Sequence, residues 1–434
     1  MEFITVDELN KGRYSETNGK NINYDGDFSL TFGKLFANKH TVNAVAGMRM
    51  EQNTRQLSSF QVRGFVDDEF SNPNFALGYP EGQRADYQES KRRGASFFTN
   101  MGYAYNQRYL IDATLRSDGS SVYGADKQFS VIWSVGMGWN IHNESYVKNK
   151  LGWINQLRLR GSIGNPGNQN FDDYISMRIY RYNNENRNPF GASIIINNMG
   201  NRNLKWQTTL DRNIGFDLMT LDNRLRFTAD YFLKNTDPLL VFVTLPSSSG
   251  VAKTAQNIGE QVTEGFTLST DYSIIRRNQF NWRVNLNARQ LKAEYRKMGN
   301  LLNNFNTTNQ SRNLVRYYDG GSPSDLWAVR SVGIDPATGR EIFLNKTGEQ
   351  TFVHDFRNEM VVGNSDPTLE GILGTSFFYK GFSASLNVRY RVGGQAFMQT
   401  LYNKVENISG AGRALNQDRR ALYDRWKQPG EERI

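Results

Sequence analysis

Apolar and polar residues alternate along this chain in long stretches, most plainly between residues 109 and 141. Tyr109, Ile111, Ala113 and Leu115 alternate with Leu110, Asp112, Thr114 and Arg116, and the two-residue period predicts a strand. After turn-forming residues at Asp118-Gly119-Ser120-Ser121, a longer alternation sets Phe129, Val131, Trp133, Val135, Met137, Trp139 and Ile141 on one face. Ser130, Ile132, Ser134, Gly136, Gly138 and Asn140 form the other. Ordinary globular strands stop after roughly five or six residues, and this pattern holds for more than twice that. From Phe129 to Trp139 is about 33 Å of strand, which a tilt of about 40° projects to roughly 25 Å, the height of an outer-membrane barrel's apolar band. Two architectures accommodate the pattern: a membrane barrel with a small, polar interior face, or a large soluble β-sandwich with one buried face.

The same reading predicts twelve long strands, at 23–37, 41–51, 94–105, 109–117, 129–141, 156–164, 205–220, 224–234, 259–273, 281–292, 368–379 and 382–392. The polar segment from residue 52 to Arg93 reads as loop. So does most of 165–203, with local strands at 175–179 and 194–196, and 293–367 reads as a long irregular region. Beyond Gly393 the chain is polar and partly helical near 414–426. Turns at 38–40, 106–108, 221–223 and 380–381 are tight, those at 143–155 and 274–280 are moderate, and every connection between them is longer or more loop-like. Short periplasmic turns alternating with long extracellular loops are a barrel's habit, and a sandwich has no reason to keep that parity. The expected fold is therefore all-β, an antiparallel transmembrane β-barrel, partial, with about twelve long strands of a larger barrel.

Composition sharpens this. The 434 residues are 38% hydrophobic with a mean hydropathy of -0.63, and no apolar run approaches the ~20 residues of a spanning helix. Aromatics at 13% and 39 glycines fit a barrel, which hides half of each strand from a hydropathy window. No cysteine is present, so disulfides and thiolate sites are excluded. The net charge of +9 admits nucleic acid, but Lys91-Arg92-Arg93 and Arg276-Arg277 are short, scattered and unaccompanied by a recognition helix, so they read as solvated loop charges. The first eight residues carry no basic stretch followed by an apolar core and are not a signal peptide, so a barrel reading makes the chain a fragment.

The stretches YNQRYLIDATLRSDGSSVYG (105–124), VGMGWNIHNESYV (135–147), LRLRGSIGNPGNQNFDDY (157–174) and NRNLKWQTTLDRNIGFDL (201–218) resemble the SusC/RagA-type TonB-linked outer-membrane transporters of Bacteroidetes. DNRLRFTADYFLKNTDPLL (222–240), LPSSSGVAKTAQNIG (245–259), GIDPATGREIF (333–343) and VGNSDPTLEGILGTSFFYKGFSASLNVRY (362–390) continue the likeness in the family's order. A departure is local: the family's aromatic-proline step before one strand is Val131-Ile132-Trp133 here. The resemblance implies a barrel of about 22 strands filled by a plug, in the cell outer membrane, importing glycans or peptides with a SusD-like surface lipoprotein as lid. It implies energy from the TonB complex, through segments this chain lacks, and places the plug and closing strands outside 1–434. A soluble secreted β-rich binding protein and a passive porin are the alternatives.

Chemistry is sparse. Only His40, His142 and His354 exist, so zinc and Ser-His-Asp sites find no support, and no enzyme, cofactor or metal is expected. His40 reads as a solvated turn residue. Asp172-Asp173 reads as a turn former rather than a glycosidase pair, and Asp118 to Asp126 lacks EF-hand spacing for calcium. Gly320-Gly321 and Gly393-Gly394 read as turns. Substrate contact would call for aromatic platforms beside amides or carboxylates on loops, and the candidates are Tyr180, Tyr182, Tyr317, Tyr318 and Trp327.

Overall fold

A computed structural model describes residues 12–65, 67, 69, 71–80, 83–123, 128–168, 174–189, 191–299, 302–310, 315–406, 408–416, 418–423 and 426–431. The amino-terminal eight residues, Asp126 and the Asp172-Asp173 pair lie outside these. Twelve long strands form one antiparallel sheet: β1 (Arg13–Phe36), β2 (His40–Phe65), β3 (Asp86–Tyr105), β4 (Tyr109–Ser120), β5 (Phe129–Asn140), β6 (Ile154–Asn165), β7 (Gln207–Thr220), β8 (Leu225–Thr236), β9 (Glu260–Arg277), β10 (Phe280–Arg296), β11 (Leu369–Tyr379) and β12 (Phe382–Val392). Each pairs with its sequence neighbours, and among the described residues β1 and β12 are the outer edges. Short and long connections alternate along most of the sheet, as in a barrel; the exception is 121–128, which is shorter than the helix-bearing connection of 141–153.

The side chains settle the choice between barrel and sandwich. Phe28, Leu30 and Phe32 on β1, Met137 on β5, Ile214 on β7 and Leu386 on β12 are all exposed, and Phe382 is 80% exposed. Burial lies instead in the loops on the long-connection side. Val122, Tyr123, Ile175, Leu204, Trp206 and Ala255 make one cluster there, with Tyr123 stacked on Trp206 at 4.3 Å. Leu239, Val241, Ile258, Tyr295, Met298 and Leu302 make a second. A sandwich would bury its strand faces and expose its loops, whereas a barrel gives its apolar strand face to lipid. The short-turn rim carries an aromatic girdle: His40 against Tyr105 at 5.0 Å, Tyr105 on Tyr109 at 6.4 Å, and Tyr109 on Trp139 at 6.3 Å. Trp282 on Phe377 at 5.3 Å continues it farther along the sheet.

Several sequence expectations are corrected. Residues 52–93 are not simply loop: β2 runs on to Phe65 and β3 starts at Asp86, with Gln52 opposite Arg93 and Gln56 opposite Glu89. At 24 residues, β1 rises roughly 60 Å after tilting, so more than half stands beyond the bilayer, where both faces meet water and alternation is not needed. Backbone pairing and cross-strand contacts such as Asn53 Nδ2 to Asn23 Oδ1 at 2.7 Å hold that part. Asp118 and Gly119 do not break the chain; they finish β4 opposite Ser130 and Phe129. Gly119 serves close packing there, since a Cβ would meet the Phe129 ring at 2.5 Å. Arg276 and Arg277 lie within β9, which a bulge between Ser273 and Ile275 carries past the expected turn. Residues 174–177 form a bend, and the strand expected there begins at Ile179. His40 opens β2, where its Nδ1 sits 2.8 Å from the Tyr103 hydroxyl, and is not a free turn residue.

The connection from β5 to β6 holds the helix Ser145–Lys150, and Glu144 at its start gathers the rim. Its Oε1 accepts from Tyr109 Oη at 2.9 Å and Trp139 Nε1 at 3.1 Å, while Arg108 Nη1 lies 3.3 Å from Oε2. Hydrogen bonds from Trp139 and Tyr109, then the Arg108 charge, hold this carboxyl below the usual glutamate range. A depressed folded-state pKa gives stability that is complete above the ordinary glutamate value near pH ~4.3 and lost as pH falls through the lower folded value. Glu144→Gln should therefore unfold more readily than wild type at pH 7, and the gap should close in acid. Thermal gel-shift of the barrel in detergent across pH would measure this, and a gap that widens in acid would reverse the assignment.

Candidate functional site: the inner wall and a cleft among the loops

Strand alternation puts polar side chains on the inner face in register. Asn213 stands opposite Ser162 and Phe232, Gly215 opposite Arg160 and Asp230, and Asp217 opposite Arg158 and Thr228. Arg160 bridges two neighbouring strands, with Nε 3.0 Å from Asp217 and Nη2 2.7 Å from Asp230. Lys234 Nζ meets Asp211 at 3.0 Å, and Arg49 meets Asp25 at 3.1 Å. Between β8 and β12 the wall dips into a groove of about 380 Å³ where Asp230, Asn287, Arg289, Glu370 and Arg389 converge. The opposite face offers Val135, Met137, Ile163, Ile214, Tyr231 and Leu233 to one hollow, where apolar surface far outweighs polar. An apolar exterior behind an ion-paired interior is the wall of an aqueous lumen.

Above the wall, the chain between β10 and β11 folds on a buried ion pair. Arg316 Nε donates to Glu359 Oε1 at 2.9 Å, Arg316 Nη2 donates to Glu359 Oε2 at 3.2 Å and to the Asn309 carbonyl at 2.5 Å, and the two side chains are 3% and 6% exposed. Asn306 and Tyr317 exchange side chain to backbone hydrogen bonds at 2.7 and 2.9 Å, which pins the helix Asn303–Thr308 beside this pair. The strands Asp325–Ala328 and Met360–Asn364 pair next to it, and a three-stranded sheet of Ser331–Ile334, Glu341–Leu344 and Gln350–Thr351 follows.

The five loop aromatics separate. Tyr180 is exposed on the hairpin Ile179–Asn188 and Gly191–Asn198, opposite Ile196; Tyr182 sits opposite Ile194, and its side chain is outside the described residues. Tyr317 packs between Tyr295 at 5.2 Å and Phe305 at 5.6 Å, and burial pushes its hydroxyl above the usual tyrosine range. Burial likewise raises Tyr318, and its donation to Asp325 Oδ2 at 2.7 Å adds to the shift. Its ring meets Trp327 edge to face at 5.2 Å. Trp327 alone of the five lines a cleft of about 1010 Å³.

Four separated segments supply that cleft's aromatic residues. Trp327 comes from one strand, Phe343 from the three-stranded sheet, His354 and Phe356 from the chain after it, and Phe397 and Tyr402 from the segment beyond β12. His354 stands edge to face between Phe343 at 5.0 Å and Phe356 at 4.7 Å. Gly363 leaves room for the Gln395 side chain, whose Oε1 would collide with any Cβ there, and Gln395 N donates to the Asn364 carbonyl at 2.9 Å. Sequence reasoning missed Phe343, His354, Phe356, Phe397 and Tyr402. Their one signal was aromatic residues inside otherwise polar stretches. Among the described residues no group of three or more His, Asp or Glu could hold a metal ion, and Asp118 is ion-paired to Arg116.

A family profile described as "TonB dependent receptor-like, beta-barrel" matches residues 5–410. TonB-dependent receptor P39 of Formosa agariphila is 26% identical over 99% of this chain and 45% of its own length. TonB-dependent receptor SusC of Bacteroides thetaiotaomicron is 27% identical over 73% of this chain and 33% of its own length. The chain thus spans less than half the length of these curated relatives. Among solved structures, the RagAB peptide transporter superposes with a TM-score of 0.83 over 97% of this chain and 46% of that one at 20% identity, a likeness of fold. With its girdle, its lipid-facing strands and its polar lumen wall, this chain is part of an outer-membrane β-barrel and belongs to the TonB-dependent receptor family.

Proposed function

We propose that these residues form the wall and substrate-side loops of an importer that takes up glycans or peptides across the outer membrane. The observation that carries the reading is the ion-paired inner wall leading up to an aromatic cleft among the long loops. A surface lipoprotein of the SusD type is the proposed lid, and energy is proposed to come from the TonB complex through a plug supplied outside these 434 residues. The similarity to SusC and to the RagAB fold supports this assignment of partners. No catalytic role is proposed for any residue of the wall or the loops.

Growth tests it. Deleting the gene in its host should abolish growth on the one glycan or peptide source it serves, and the intact gene should restore growth. Inactivating TonB in the restored strain should abolish it again. Uptake that persists without TonB would instead identify a passive porin.

A further inference from the structure

The loop-side cleft has a distinct charge pattern among the described residues. In a protein of net charge +9, no lysine or arginine lines it among the described residues. Its carboxylates are Glu341, Glu359 and Glu406. Glu359 is spent on Arg316, while Glu341 and Glu406 are exposed at the cleft and enter no ion pair among the described residues. Between these acids stand aromatic faces and amides: Phe397 is 60% exposed at the mouth, and Gln310, Gln395 and Gln399 line the walls. The Trp327 Nε1 is buried with no hydrogen-bond partner among the described residues, a donor that a ligand oxygen or water would satisfy.

We infer that this cleft is a binding subsite for a neutral oligosaccharide and that Glu341 and Glu406 turn anionic sugars away; the inference rests on the import reading above. A sugar ring offers an apolar C–H face for Phe397, Trp327 and Tyr402 and a rim of hydroxyls that both donate and accept. Glutamine amides match that rim in both directions, and glutamate carboxylates accept from hydroxyls but repel uronate or sulfate groups. A peptide fits less well, because its terminal carboxylate would find no lysine or arginine among the described residues of the cleft.

The test uses the purified, intact receptor in detergent, with binding read by calorimetry and no TonB present, so a failure of import leaves the result interpretable. The probes are hexasaccharide pools from neutral glucan, galactan and mannan, the same pools oxidised at C6 to carboxylates, and a pool of hexapeptides with uncharged side chains. At least one neutral pool should bind saturably, and its oxidised counterpart should bind at least about tenfold more weakly. Phe397→Ala, a rim change that leaves the buried loop clusters intact, should weaken the neutral pool by about tenfold, the worth of one aromatic contact. Glu341→Lys and Glu406→Lys together should bring the oxidised pool up to or past the neutral one. Saturable binding confined to peptides or to oxidised pools, equal binding of both sugar forms, no saturable binding of any pool, or indifference to these substitutions would overturn the inference.

Discussion

Val135→Arg should abolish assembly of the receptor in the outer membrane, while Ser134→Arg, one residue away, should leave it largely intact. Val135 stands opposite Ala113 and Ile163 on the apolar face, beside Met137 and Ile214, whereas Ser134 stands opposite Thr114 and Gly164. Ser134 borders a hollow shared with Ser162, Asp211 and Lys234, where a guanidinium can stay hydrated. Counting about 2.5 Å of height per residue up from Trp139 at the girdle puts both positions near the middle of the apolar band. A lipid-facing arginine there costs about 2 to 4 kcal/mol, a large part of the roughly 5 to 15 kcal/mol by which proteins are stable. The fraction of receptor showing heat-dependent mobility in membrane extracts measures assembly. Equal losses for the two variants would contradict the facing assigned to β5.

Glu359→Ala should produce the largest loss among the loops, about 3 to 5 kcal/mol locally, because Arg316 would remain buried without its counter-ion. Replacing both residues by leucine removes the stranded charge and should recover most of that stability. The effect should be confined to the loops: amides of 303–364 should exchange faster, while the strands below keep their protection. Hydrogen exchange followed by mass spectrometry resolves the two regions. Unchanged exchange around Asn309 and Trp327 in the single variant would mean that the pair does not hold the loops together.

The long strands inside the bilayer were legible in the sequence because lipid on one side and water on the other impose a two-residue period. Val131 to Trp139 on β5 and Phe382 to Val388 on β12 carry it openly. Where that asymmetry ends, the signal ends. The outer halves of β1, β2 and β3 are paired strands written almost wholly in polar residues, and Asp118-Gly119 looked like a turn because its reason, room for Phe129, lies on another strand. The cleft was legible only at Trp327. Phe343, His354 and Phe397 lie up to 54 positions apart, 343 to 397, and nothing local marks them as neighbours. Tyr317 and Tyr318 resemble Trp327 in sequence, but their surroundings direct them into loop packing and an aspartate hydrogen bond instead.

The sheet's order bears on how the chain reaches the membrane. Within the described sheet each long strand lies beside its sequence neighbours, so these pairings can form hairpin by hairpin along a moving edge. Tight turns such as that between β3 and β4 keep those steps local, while the chain of 297–368 makes the junction of β10 and β11 the step across the longest of several long connections. A lesion in the middle of the sheet is thereby polar in its effect, in the sense used of operons. Blocked at β5, a growing edge leaves the strands on one side of the lesion paired and those on the other as exposed, aggregation-prone chain.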